Sequence, residues 1–142
     1  MPDSPRLFTV DEANRTLPLV RRIVGDLLGE HAAWREEVAR FEVAITALPS
    51  EEAGESAAAS EARTAAERHA RRIDACLQEL AEIGCLFKGF DGGLVDFLSL
   101  RDDRPVYLCW RHGEDAVSYW HETDGGYEGR RPIDAHLLSE TT

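Results

Sequence analysis

Lysine is almost missing from this 142-residue chain: Lys88 is the only one, and arginine supplies the rest of the positive charge. Against 16 basic residues stand 27 acidic ones, for a formal charge of -11. A field of that sign repels phosphate backbones and anionic lipid surfaces, so neither nucleic acid nor a membrane surface is expected as a partner. Long apolar runs are also missing. None approaches the ~18 residues of a spanning helix. Cysteine is scarce and scattered: Cys76, Cys85 and Cys109 are an odd number with no CxxC between them, which excludes a disulfide framework and the close-spaced zinc motifs. The first fifteen residues lack a basic start followed by an apolar stretch, so no secretory signal is expected. Reduced thiols in a cytoplasm are the economical expectation.

What is present falls into two dissimilar halves within a length that suits one domain, residues 1–142. Thr9-Val-Asp-Glu12 is a capping box, with Phe8 as its hydrophobic staple, and predicts a short helix over 10–15. Pro18 fits the first turn of a new helix, so a second start at Thr16 is expected, running to Leu48. Along it Val20, Val24, Leu27, His31, Trp34, Val38, Phe41, Ile45 and Leu48 alternate spacings of four and three, the period of a coiled-coil seam. Residues 49–60 are small, acidic and turn-rich and read as a loop. The same alternation returns in Ala62, Ala66, His69, Ile73, Cys76, Leu80, Ile83 and Phe87. An antiparallel hairpin over about 10–88 follows, with Leu48 closing on Ala62 and Phe41 set near His69. Its two seam histidines stand too far apart to share a metal and read as half-exposed core residues.

Residues 94–100, 105–111 and 117–122 are rich in Val, Leu, Tyr, Phe and Trp and are separated by turn chemistry. They predict a three-stranded antiparallel meander over about 94–133, and hence an α+β fold. The side chains that could carry chemistry gather here. Asp96 stands inside an apolar strand, so it faces solvent or is buried with a partner, for which Arg130 or Arg131 is the natural choice. His121 can be read as a metal ligand with Asp96 and Cys109, as a general base, or as a structural bridge. If residues 111 and 116 face each other, Cys109 and His121 lie on opposite faces; a slip of one residue puts them on the same face. Cys109, between Leu108 and Trp110, otherwise reads as an inert buried thiol, and Cys85 as the more accessible one.

The segments Ile83-Gly-Cys-Leu-Phe-Lys88, Gly93-Leu-Val-Asp-Phe97, Leu108-Cys-Trp-Arg-His-Gly-Glu114, Tyr119-Trp-His-Glu122 and Gly126-Tyr-Glu-Gly-Arg-Arg-Pro-Ile133 resemble the bacterial domain-of-unknown-function family 2203. The opening Phe8-Thr-Val-Asp-Glu-Ala-Asn-Arg-Thr-Leu-Pro-Leu-Val20 is similar as well. The resemblance spans about residues 7–133. It implies a bacterial protein of one domain and carries no catalytic role.

Two functional readings follow. The first is a small intracellular binding or assembly protein, self-associating through the hairpin as a homodimer, with a ligand site among Asp96, Trp110, Glu114, Trp120, His121 and Arg130. The second is an enzyme or metalloprotein whose site uses His121, Asp96, Glu114 and Cys109, with a divalent metal ion on His121, Asp96 and Cys109. Self-association is expected because Leu19, Ile23, Ala32, Ala39 and Val43 form a second apolar stripe that a meander of about 17–24 Å cannot cover.

Overall fold

The computed structural model describes residues 6–47 and 56–139. Leu48, most of the expected loop and the last three residues lie outside that range. The elements are α1 (Val10–Thr46), α2 (Ala57–Ile83), β1 (Leu86–Gly89), β2 (Leu94–Arg101), β3 (Arg104–Arg111), β4 (Tyr119–Glu122), a 3-10 turn at Tyr127–Gly129, β5 (Arg131–Pro132) and α3 (Ala135–Ser139). They form two compact units, one made of the residues up to Gly25 and those from Gln78 on, the other of Asp26–Leu77.

In the first unit the capping box forms as expected. The Thr9 amide donates to Glu12 Oε1 at 2.9 Å, and the Glu12 amide donates to Thr9 Oγ1 at 3.0 Å. These bonds, the Thr9 amide foremost, hold the Glu12 carboxyl below its ordinary pKa. The expected break before Pro18 does not occur. One helix runs through it, with Pro18 exposed. Ahead of the proline, Thr16 Oγ1 donates to the Ala13 carbonyl and the Asn14 amide group to that of Val10. A mid-helix proline costs about 3 kcal/mol. Burial of Val10, Ala13, Leu17, Val20, Ile23 and Val24 outweighs that, since each large apolar side chain contributes about 1.5–3 kcal/mol.

The second helix stops at Ile83, not near Phe87. Gly84 takes φ 105° there, and the Arg6 guanidinium donates to the Ile83 carbonyl at 2.8 Å. A Cβ on Gly84 would lie 2.9 Å from Arg6 Cδ, so glycine is required on both counts. The residues freed from the helix become β1. The sheet therefore has five strands in the order β1-β2-β3-β4-β5, all antiparallel, where three were expected. The two added strands are short edges, and β5 has only two residues, too few to leave a periodic signal.

One sheet face carries Val95, Phe97, Ser99, Val106, Leu108, Trp110 and Trp120, all buried. It packs with the start of the chain. Phe8 meets Phe97 edge-on at 5.1 Å, Ser99 Oγ donates to the Phe8 carbonyl, and the Val117 amide donates to Asn14. The opposite face carries Leu86, Asp96, Leu98, Tyr107, Cys109, Tyr119 and His121.

In the second unit Ser56 caps α2, accepting from the Ala59 amide, so the helix begins inside the segment expected as loop. That shifts the pairing. Trp34, Val38 and Phe41 line a groove with Arg63, Ala66, Glu67 and Ala70, and His69 meets Glu30 at 2.5 Å, not Phe41. His69 thus meets a residue eleven positions before the expected Phe41, while Trp34, Val38 and Phe41 share a groove with Ala66 and Ala70.

Asp102 and Asp103 close the β2–β3 hairpin with φ 53° and 61°, a turn of the I′ type. Neither is glycine, so the left-handed backbone is strained. Asp103→Gly is expected to stabilise the protein by about 0.5–1 kcal/mol. The urea midpoint measures this; an unchanged or lower midpoint would show that the aspartates serve the turn by local hydrogen bonds.

Candidate functional site

The β2–β3 ladder sets Asp96 opposite Cys109, and the β3–β4 ladder sets Tyr107 opposite His121 and Cys109 opposite Tyr119. Of the two registers open from sequence, this is the one that places Cys109 and His121 on the same face. The reason lies in residues 112–118. They form no tight two-residue turn: the Glu114 amide donates to the Arg111 carbonyl, the Trp110 indole donates to the Glu114 carbonyl, and pairing resumes only at Tyr119.

Three chemically active side chains therefore converge in the middle of the sheet. Asp96 and His121 are each 3% exposed and Cys109 is 1% exposed. Their donor atoms lie within 4.8 Å of one another, and among the described residues this is a group that could hold a metal ion. His121 Nδ1 donates to the Glu122 carbonyl at 2.7 Å, and a carbonyl can only accept, so Nδ1 carries a hydrogen. Nε2 is left facing Asp96 Oδ1 at 3.1 Å. That contact needs one proton between nitrogen and oxygen. At Cys109, burial first, then the nearby Asp96 charge, pushes the thiol pKa up to about 12. The Tyr107 ring packs beside His121, centroids 5.6 Å apart.

Asp96 is buried, and its partner is His121, not an arginine. Arg130 is held elsewhere on the same face. Its guanidinium lies 4.0 Å from the Tyr119 ring and 4.8 Å from that of Tyr127, and its Nη2 donates to both oxygens of Glu114 at 2.8 Å. Burial disfavours the cation, yet Glu114 keeps the Arg130 pKa above its ordinary value. Its Nε is buried and has no acceptor among the described residues. Arg131 lies over Trp120 at 5.3 Å.

Strand alternation separates the remaining expected site residues. Trp110 and Trp120 are on the core face, 0% and 3% exposed, opposite the face that carries Asp96 and His121. An open pocket of about 480 Å³ lies on the cluster's side of the sheet instead, lined by Asp91, Leu94, Arg111, Gly125, Gly126, Tyr127 and Glu128. Leu94 and Arg111 are paired one row from Asp96 and Cys109. Strand patterns do not reveal this pocket, because turns supply most of its lining. The Glu122 carbonyl that orients His121 has no sequence signal at all. Cys85 is also buried rather than accessible; it donates to the Leu80 carbonyl, and burial pushes its pKa up to about 11.

Two outcomes follow. Removing the imidazole leaves a buried carboxylate without its partner, so His121→Ala should lose about 3–5 kcal/mol. Asp96→Asn should be milder, because an asparagine amide can donate to Nε2. Denaturant titration checks the order; equal losses would contradict it. Alkylation at pH 8 should find no fast thiol in the native protein, because Cys85 and Cys109 stay protonated and Cys76 is buried. Both raised pKa values add stability below the unfolded value near 9, and that contribution is lost as pH rises toward 11–12.

Among the described residues no helix is long and apolar enough to cross a membrane. No curated protein and no solved structure matches the chain. A family model described as an uncharacterized conserved protein matches residues 6–133. The chain thus belongs to the DUF2203 family.

Proposed function

We propose that the chain is an intracellular binding and assembly module that pairs with a second copy of itself through residues 26–77. The observation that carries this reading is how little that unit buries. Its buried apolar side chains, among the described residues, are Leu27, Ala59, Ala62 and Cys76, and two of these are alanines. Trp34, Val38 and Phe41, at seam positions, are only half-buried. Ile45 is 43% exposed and Val43 68%. Two helices side by side have no second layer to enclose a core.

A second copy fits this face for three reasons. The four-three spacing on both helices is the pattern that packs into four-helix bundles. Two charge pairs form within each chain, Arg40 with Glu37 and Arg63 with Glu67, so these groups meet a second copy already neutralised. The face is also large enough. Residues 26–46 of α1 extend about 30 Å, and two helices about 20 Å wide offer roughly 600 Å² per copy, which reaches the ~1,200 Å² of a stable interface. Cys76, Cys85 and Cys109 are not joined in disulfides, which suits a reducing cytoplasm.

Light scattering at micromolar concentration should give twice the chain mass. Val43→Glu should return it to one chain mass with the circular dichroism of the sheet unit preserved. A wild-type mass of one chain would refute self-association and leave the face to a different protein.

A further inference from the structure

We infer that Asp96, Cys109 and His121 form a binding site for one divalent transition-metal ion, of which zinc has the matching chemistry. The inference is independent of self-association, since all three residues belong to the sheet of the first unit. One carboxylate oxygen, one sulfur and one imidazole nitrogen within 4.8 Å of one another offer the mixed donors that zinc accepts. Tetrahedral ligand atoms around zinc stand about 3.3–3.7 Å apart, so the set needs only small side-chain adjustments.

The imidazole is already oriented for this task. A metal-bound histidine commonly donates its other ring N–H to a carbonyl, which fixes the tautomer. Here Nδ1 donates to Glu122, and Nε2 points toward Asp96 and the Cys109 side of the sheet. The bond restricts the ring before any ion arrives. A ring free to flip would present either nitrogen.

Charge is conserved in the exchange. Without metal the cluster holds two displaceable protons, one between Nε2 and Asp96 and one on the Cys109 sulfur. A divalent cation takes the place of both: the S–H bond and the N–H (or O–H) bond break, metal–sulfur and metal–nitrogen bonds form, and two protons pass to solvent. The ion then sits among one carboxylate, one thiolate and one neutral imidazole, whose charges sum to zero. A buried site tolerates that balance, whereas a bare cation or an unpaired thiolate would be strongly disfavoured. Three protein donors leave a fourth position for water or a small exogenous ligand, the arrangement of open zinc sites.

Cobalt(II) and zinc(II), added separately to the metal-free full chain, test this. One equivalent of cobalt should bind and produce a thiolate-to-metal absorption band in the near ultraviolet, and zinc should displace it. Cys109→Ser should remove the band, and Cys85→Ser should retain it. Asp96→Asn, whose fold is expected to survive, should weaken zinc binding by more than about a hundredfold. Failure of the wild-type chain to take up either ion, or a band that persists in Cys109→Ser, would overturn the inference. The wild-type titration decides even where a variant fails to fold.

Discussion

The sheet face opposite the apolar core depends on one interaction, the buried contact between His121 and Asp96. Neither group can be satisfied alone. A carboxylate at 3% exposure has lost most of its hydration, and replacing that hydration requires a donor within the sheet. His121 supplies it from β4, across the intervening β3, and the Glu122 carbonyl fixes which ring nitrogen is used. The strand register then becomes consequential. A slip of one residue between β3 and β4 would send His121 to the core face and strand Asp96, so hydrophobic alternation and polar pairing select the same register.

The two compact units solve different problems. In the sheet unit Phe8, just ahead of α1, meets Phe97 on the core face, Leu17, Val20 and Val24 of α1 are buried, and the polar cluster lies on the other face. Among the described residues of the 26–77 unit no such second layer forms, and the seam stays half-covered. The self-association proposed above would supply that layer from a second copy.

Much of this was legible in the residues. Side-chain periodicity revealed the two helices, and the capping box formed as written, because both are local. The α+β class and the three central strands follow from the same logic, although β4 begins two residues later than its composition suggests. Illegible features were those set by tertiary balance. Pro18 is carried inside α1 because a core on one side of the helix outweighs it. Leu86–Gly89 continues a helical pattern yet pairs as a strand once Gly84 has turned the chain. In the site, Asp96, Cys109 and His121 could be named together from their chemistry, but their meeting depended on a register that sequence leaves open. Arg130 pairs with Glu114 and not with Asp96, because Glu114 lies in the 112–118 connection, whose path only the folded chain defines.

The most direct test of the central interaction is nitrogen NMR of histidine-labelled protein without metal. The His121 ring should show a protonated Nδ1, hydrogen-bonded to the Glu122 carbonyl, and an Nε2 resonance that moves when Asp96 is replaced by asparagine. A ring with unprotonated Nδ1, or an Nε2 indifferent to Asp96→Asn, would contradict the account.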